Sequence, residues 1–306
     1  MSDVSEPVNI STTRQRRRRS AANVPWLWVL PAVAVVLAFR YVATGAGTWY
    51  AFTDWDGLSD ATWVGLDNFR EIFEDPASRG ALKNTVVLAF SFVIASNLIG
   101  LALALALQRT VRSRGLLRAL FFLPVVMSSL AVSYVWQFIF SFTGPLNGLL
   151  DALGLESWQR PWTGDPTWAL WTIFVVLVWQ FVGLSMVMYL AGLEGIPEEL
   201  DEASAVDGAS TVRRFRKITL PLLAPAITVS VTLSTIYGLG VFDQVLAVTG
   251  GGPVDASETL ATQIYKQTFA FGRFGYGTAL SLILTVLITV LAVAQLFILR
   301  ARERRL

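Results

Sequence analysis

Long apolar runs are the feature of this sequence that most limits its fold. Hydrophobic residues make up 54% of the 306 residues and charged residues only 15%, and the apolar residues form separate runs. Each run can cross about 30 Å of hydrocarbon as a helix that rises about 1.5 Å per residue. Because backbone polar groups in lipid must be satisfied within the chain, such runs favour transmembrane helices. The sequence therefore predicts an all-α membrane protein.

Six transmembrane helices are predicted, over residues 26–49, 85–107, 119–142, 168–193, 222–242 and 279–299. The last five contain no Asp, Glu, Lys or Arg, so we expect each to be an unbroken helix. The first contains Arg40, about 21 Å along the helix, where a long side chain can reach the interface. A secretory signal peptide is the alternative for this segment, because residues 14–19 resemble a basic n-region and residues 43–47 a cleavage region.

Lys and Arg are distributed unequally between the two sides of the predicted spans. The N-terminal tail has five, while the loop after the second span, the loop after the fourth span and the C-terminal tail have four each. The three alternate loops have three, one and two. Because positive residues accumulate on the cytoplasmic side, both termini are predicted to be cytoplasmic. The basic residues are thus explained by topology, and we expect no nucleic-acid partner.

Missing residue types exclude several chemistries. The chain has no His and no Cys, which excludes imidazole or thiolate metal sites, His-assisted nucleophiles and disulfides. It also lacks a Gly-x-x-x-x-Gly-Lys-Ser/Thr loop for nucleotide phosphates. None of the six predicted spans contains an Asp or Glu that could form a proton or sodium pathway. These absences disfavour a membrane-embedded enzyme and a self-sufficient secondary transporter, so energy for transport would enter from another subunit.

A charged hairpin lies between the fourth and fifth predicted spans, on the predicted cytoplasmic side. Pro197 suits the first turn of a helix, and the acidic residues after it favour a helix to about Val206. Gly208 can end that helix in a left-handed conformation, and Ser210 can cap a second helix. The second helix is predicted to end in the basic residues Arg213, Arg214, Arg216 and Lys217. The apolar face of the hairpin is formed by Leu200, Ala203, Val206, Val212 and Phe215. This apolar face could lie in a groove of another protein or on the lipid headgroups, and the residues alone leave both alternatives open.

The hairpin sequence resembles the cytoplasmic loop motif of binding-protein-dependent ABC importer permeases, Glu-Ala-Ala-x-x-x-Gly followed by Ile-x-Leu-Pro. The matching residues are Glu202, Ala203, Gly208, Ile218, Leu220 and Pro221, with Ser204 at the second Ala position and Asp207 before the glycine. The resemblance implies a type I ABC importer permease fold with six transmembrane helices. It also implies that residues 194–221 form a coupling-helix hairpin that docks on a separate ATPase. No cofactor is expected on this chain, because ATP and Mg²⁺ would bind that ATPase.

The region after the fifth predicted span is similar to the first permease of carbohydrate importers of the maltose and glycerol-phosphate type. The similarity is carried by residues 242–243, 249–253, 269–271 and 274–277, by Thr259 and Tyr265, and by Asn84 and Thr85 at the start of the second span. Together the two resemblances cover roughly residues 80–299. They imply an ATP-driven sugar importer, with an oligosaccharide as the expected solute, in a bacterial or archaeal plasma membrane. An ABC permease for a non-sugar or glycerol-phosphate solute is the alternative.

The same resemblance implies the partners and the organisation of the chain. The expected partners are a second homologous permease, two copies of an ATPase subunit and an extracytoplasmic solute-binding protein. We expect a basic cytoplasmic tail over residues 1–25, then the first transmembrane helix with an acidic external loop over residues 26–80. A permease core should follow over residues 81–299, and a second basic tail over residues 300–306.

The fourth and fifth predicted spans carry side chains suited to an uncharged sugar, which needs hydrogen-bond partners and aromatic surfaces. The predicted substrate path consists of Trp179, Gln180, Phe181, Ser230, Ser234, Tyr237, Gly238 and Val241. One helical face carries Ser230, Ser234, Tyr237 and Val241. Gly238, next to Tyr237, would leave room for a ligand. A rival polar face is formed by Thr228, Thr232 and Thr235. Helix packing is the alternative explanation for these small and polar residues.

Overall fold

The computed structural model describes residues 28–108 and 113–303. This part of the chain is helical apart from its loops and one isolated antiparallel bridge between Thr53 and Trp63. The chain divides into two compact units after Ala46. Helix α1, Leu30–Tyr50, contains a π-helical segment at Leu37–Val42 that includes the exposed Arg40.

The second unit contains the remaining helices. They are α2 (Asp67–Glu74), α3 (Pro76–Gln108), α4 (Arg114–Val126), α5 (Ser129–Ile139), α6 (Pro145–Ala152), α7 (Ala169–Glu194), α8 (Glu198–Val206), α9 (Thr211–Leu222), α10 (Ala224–Leu239), α11 (Asp243–Val248), α12 (Leu260–Tyr265) and α13 (Phe274–Glu303). A 3-10 turn lies at Glu156–Trp158, and π-helical segments lie at Phe215–Thr219 and Lys266–Ala270.

Six segments of the described chain can cross a membrane. Four are continuous helices of sufficient length and apolarity, namely α1, α3, α7 and α13. The other two are bent pairs, α4 with α5 and α9 with α10. When each bent pair is taken as one span, the number equals the six that the sequence predicts. The prediction of an all-α membrane fold is confirmed.

The third predicted span, residues 119–142, is not one helix. α4 and α5 meet at a bend of 98°. Pro124 lies in the last turn of α4. Met127, the first residue after this helix, has an extended backbone with φ −73° and ψ 148°. Proline has no N–H for the carbonyl four residues earlier and its ring crowds that carbonyl. The expectation of an unbroken helix is wrong here, because it considered charge and left out the proline.

The fifth predicted span, residues 222–242, also differs from the prediction at its start. α9 and α10 meet at a bend of 68° beside Leu223, so Leu222 belongs to the second helix of the hairpin. That helix does not end at Lys217 as predicted, and it continues through the π-helical segment to Leu222. Pro221 explains the wider turn, because it supplies no N–H to the carbonyl of Lys217.

Helix α7 lies at the centre of the packing, against α3, α4 and α10. Two glycines allow the closest approaches. A Cβ on Gly100 of α3 would lie 2.6 Å from the Cβ of Ser185, and a Cβ on Gly183 of α7 would lie 2.0 Å from the backbone oxygen of Phe121 in α4. Helices therefore approach each other at small residues, as is usual in membrane proteins.

Candidate solute path and coupling hairpin

A cavity of about 210 Å³ lies between α3, α7 and α10. Four of the eight predicted path residues line it, namely Phe181, Ser230, Ser234 and Tyr237. The rival threonine face is absent from this lining. Thr228 and Thr235 instead donate to carbonyls of their own helix, 3.0 Å and 2.8 Å away.

Aromatic rings form much of the cavity wall. The rings of Phe181 and Tyr237 have centroids 4.1 Å apart, and Phe92 of α3 meets Phe181 edge-on at 6.2 Å. Such rings offer apolar faces to a ligand. Phe92 was not predicted, because one more Phe in an apolar helix gives no signal in the sequence.

A second cavity of about 270 Å³ lies beside the first, at the C-terminal end of α10. Ile236 and Tyr237 line both cavities. Val241, Phe242 and Asp243 line the second one. The side chain of Val241 is 2% exposed, so it contributes mainly to packing. Asp243 is exposed at the start of α11.

Three predicted path residues line neither cavity. Gln180 is fully buried at the break of the third span, where its Nε2 donates to the carbonyl of Met127 at 3.4 Å and its Oε1 accepts from Gln244 at 3.0 Å. Trp179 is 41% exposed and packs against another tryptophan of the third span. A Cβ on Gly238 would meet Phe92 at 3.0 Å, so α3 occupies the room that we expected for a ligand.

Asn97 of α3 is a polar residue beside the cavity that was not among the predicted site residues. Its side chain accepts a hydrogen bond from Ser230 at 2.7 Å and donates one to Ser234 at 3.3 Å. It is 8% exposed and is the one amide side chain in the second predicted span, residues 85–107. A lone amide in a predicted span was the available signal, because buried polar groups in lipid need partners.

Two regions that carry the carbohydrate-importer resemblance are in contact, namely Asn84 and Thr85 in α3 and the loop between α11 and α12. Asn84 Nδ2 donates to the carbonyls of Ala256 and Glu258, at 3.1 Å and 3.0 Å. The hydroxyl of Thr85 accepts from the backbone N–H of Leu260 at 2.9 Å. The start of α3 therefore holds the loop between α11 and α12 in place.

An ion pair between a buried carboxylate and a partly exposed lysine closes this loop. Glu258 is 2% exposed and its Oε2 contacts Nζ of Lys266. Burial raises the pKa of Glu258 above its ordinary value, and the contact with Lys266 opposes this shift only in part. Its second oxygen, Oε1, has no partner among the described residues.

The predicted hairpin has the expected helix-turn-helix form. α8 ends at Val206, and Gly208 adopts the left-handed conformation with φ +72°. The Oγ of Ser210 accepts a hydrogen bond from the backbone N–H of Arg213 at 3.4 Å and so caps α9. The local rules for helix ends therefore predicted this geometry correctly.

The tip of the hairpin exposes apolar side chains. Val206 is 89% exposed, Val212 64% and Leu200 41%. Of the predicted coupling residues, Glu202, Ala203, Asp207 and Gly208 are exposed and Ser204 is buried. Ile218, Leu220 and Pro221 are half-buried further along α9. An exposed valine beside acidic residues offers a mixed surface for a water-facing partner.

The root of the hairpin is packed against the spans. Leu223, at the bend before α10, is fully buried. A Cβ on Gly192 of α7 would lie 2.8 Å from a Cδ of Leu223, so the two elements touch closely. Glu194 at the end of α7 accepts hydrogen bonds from Arg118 at 2.8 Å and Arg114 at 3.2 Å in α4. Movement of the hairpin would thus reach α7 and α10 directly.

The spans, the cavity and the protruding hairpin together define a membrane transport subunit. Residues 96–305 match the family described as "Binding-protein-dependent transport system inner membrane component". The chain therefore belongs to this family of ABC importer permeases.

Relatives match along most of their length. The chain is 32% identical over 281 residues to the multiple sugar-binding transport system permease MsmF of Streptococcus mutans, covering 91% of this chain and 96% of the relative. It is 32% identical over 286 residues to the trehalose/maltose transport system permease MalF of Thermococcus litoralis, covering 92% and 95%. It is also 32% identical, over an alignment of 311 residues, to the lactose transport system permease protein LacF of Rhizobium radiobacter, covering 96% and 99%.

The fold matches a solved ABC importer. A chain of a bacterial ABC transporter involved in the import of the acidic polysaccharide alginate superposes with a TM-score of 0.79 at 23% sequence identity. The match covers 90% of this chain and 94% of that one. The type I ABC importer permease fold is thereby confirmed.

Proposed function

We propose that this chain is one permease subunit of an ATP-driven sugar importer, with an oligosaccharide as the solute, and that it forms half of the translocation pathway. The observation that carries the proposal is the aromatic cavity between α3, α7 and α10. Relatives named for multiple sugars, trehalose/maltose and lactose support a sugar as the solute.

The chemistry of the cavities fits an uncharged polyhydroxyl solute. The rings of Phe181 and Tyr237 can pack on the apolar faces of a sugar, and Ser230 and Ser234 provide oxygen atoms beside them. Neither cavity has Lys or Arg among its lining residues in the described chain. A phosphorylated solute would require such a cation in a site of low dielectric.

Energy for transport is proposed to enter through the hairpin. The exposed tip around Val206 and Gly208 would dock on an ATPase subunit, and two ATPase copies would serve this chain and a second homologous permease. Closure of the ATPase pair would push on the hairpin, and the packed contact of Gly192 with Leu223 would pass the movement to α7 and α10. The spans would then expose the cavity alternately to the two sides.

The direction of transport is proposed from the family, which is described as binding-protein-dependent, and the orientation is proposed from the charge distribution. Both termini and the hairpin would face the cytoplasm, as the distribution of Lys and Arg indicates. An extracytoplasmic solute-binding protein would deliver sugar at the opposite side, near the second cavity and Asp243.

Reconstitution tests the proposal. Proteoliposomes with the complete transporter, its solute-binding protein and internal ATP should take up radiolabelled maltose, trehalose or lactose. Proteoliposomes with this chain alone should take up none. Uptake by the isolated chain, or ATP-driven uptake of charged solutes without any sugar, would contradict the proposal.

A further inference from the structure

Asn97 connects three helices beside the central cavity. From α3 it contacts Tyr189 of α7 and Ser230 and Ser234 of α10. All four side chains are at most 9% exposed. Two of them line the cavity of the proposed substrate path. The cluster therefore joins the wall of the cavity to the helix behind it.

The orientation of the Asn97 amide is fixed by a backbone group. Nδ2 lies 2.8 Å from the carbonyl oxygen of Val93, which can only accept, so the atom that faces Val93 must be the nitrogen. The other amide atom, Oδ1, then faces the hydroxyls of Tyr189 and Ser230, each at 2.7 Å. Because Oδ1 can only accept, both hydroxyls must donate to it.

The protons of both cavity serines are consequently engaged inside the protein. Ser230 donates to Asn97 Oδ1, and Ser234 accepts from Asn97 Nδ2 while it donates to the carbonyl of Ser230 at 2.8 Å. Each serine oxygen keeps only lone pairs for a further partner. Ser230 is 1% and Ser234 9% exposed in this structure, so a solute hydroxyl that reaches these oxygens when the cavity opens can bind them as a donor and not as an acceptor.

We propose that Asn97 is a positioning residue of the substrate path, which holds Ser230 and Ser234 as hydrogen-bond acceptors for the hydroxyl groups of a sugar. This inference rests on the proposed function, because it assigns the serine oxygens to a polyhydroxyl solute. Asn97 acts through the two serines and through Tyr189, and it needs no contact with the solute itself.

Asn97→Asp provides the most specific test. A neutral carboxylic acid has one O–H donor and one acceptor oxygen, so it can replace much of the amide's hydrogen bonding. An ionised carboxylate only accepts, and would face the carbonyl of Val93 without a proton between them. Tyr189 is the titratable side chain in contact with this position. No charged side chain hydrogen-bonds to the cluster in the described part of the chain.

The complete transporter carrying Asn97→Asp is assayed in proteoliposomes with radiolabelled maltose, trehalose and lactose, at equal pH on both sides. We expect uptake near the wild-type rate in acidic buffer and a fall of roughly tenfold in alkaline buffer, corresponding to about one lost hydrogen bond. The wild type, measured at the same pH values, provides the reference. Uptake that parallels the wild type at every pH overturns the proposal, and so does a uniform loss that acidic buffer does not relieve.

Asn97→Leu gives a second readout at constant pH. It removes the partner of both serines, so the KM for sugar should rise by roughly tenfold with a smaller change in the maximal rate. Ser96→Ala is the matched control, since Ser96 is 1% exposed on the same helix and lies outside the cavity lining. An unchanged KM in Asn97→Leu overturns the proposal. Failure of the wild-type transporter to take up any of the three sugars contradicts the proposed function instead.

Discussion

Gly208→Ala isolates the bend of the hairpin from every packing effect. The backbone of Gly208 has φ +72°, and no atom lies within 4 Å of the position that a Cβ would take. The added methyl group therefore meets nothing, and the cost is confined to the backbone. A left-handed conformation costs an L-residue about 1–2 kcal/mol. The ratio of bent to straighter hairpin conformations should therefore fall by a factor of roughly 5–30.

The assay measures transport and ATP hydrolysis separately from the amount of folded, inserted protein. In proteoliposomes, we expect Gly208→Ala to reduce sugar-stimulated ATP hydrolysis and uptake several-fold, while the amount of inserted protein stays at the wild-type level. Gly154→Ala and Gly272→Ala are matched controls, because these glycines have φ +70° and +68° and equally open surroundings. They carry the same strain far from the hairpin along the chain, so uptake should remain unchanged.

Two results would refute this reasoning. One is wild-type uptake and ATP hydrolysis in Gly208→Ala, and the other is an equal loss in Gly154→Ala. Gly208→Asp extends the test, because Asp tolerates the left-handed region better than Ala but adds a charge at the tip. We expect this variant to insert normally and to abolish transport, which would assign the additional loss to the docking surface.

Three further predictions concern the cavity, the packing and the external loop. Tyr237→Ala should raise the KM for sugar, because a ring that lines both cavities is lost, whereas Tyr237→Phe should retain most of the affinity; uptake kinetics check both. Gly183→Ala should destabilise the purified protein by about 1–3 kcal/mol, since its Cβ would lie 2.0 Å from the backbone oxygen of Phe121, and the melting temperature in detergent checks this. Burial raises the pKa of Glu258 despite the contact with Lys266, so its contribution to stability is complete at acidic pH and is lost as the pH rises through the raised pKa; melting curves against pH should lack this decline in Glu258→Gln.

Local chemistry in the sequence was sufficient to predict the hairpin. Pro197, Gly208 and Ser210 determine where helices start and stop, and they do so through their own backbone and side chains. The six spans followed from apolar length alone. The break in the third span needed Pro124 to be considered together with a buried partner, because unpaired backbone at membrane depth must be satisfied by protein. That partner is Gln180, which was predicted to line the solute path.

The interior of the site was only partly predictable. Ser230, Ser234 and Tyr237 could be placed on one face because helical periodicity is local. Whether a neighbouring helix or a ligand fills the space beside Gly238 depends on how α3 packs, and a single sequence holds no information on that contact. The partners of Asn97 could not be predicted for the same reason, since three of its four hydrogen bonds reach α7 and α10, which are distant along the chain.

The central claim is that the hairpin docks on an ATPase, and the chain is well suited to a direct measurement because it contains no cysteine. Val206→Cys places one thiol at the hairpin tip, where the native side chain is 89% exposed. We predict that a maleimide added from the cytoplasmic side of inverted membrane vesicles labels this thiol rapidly in the chain alone and slowly in the assembled transporter. Equal labelling in both preparations would contradict the docking of the hairpin.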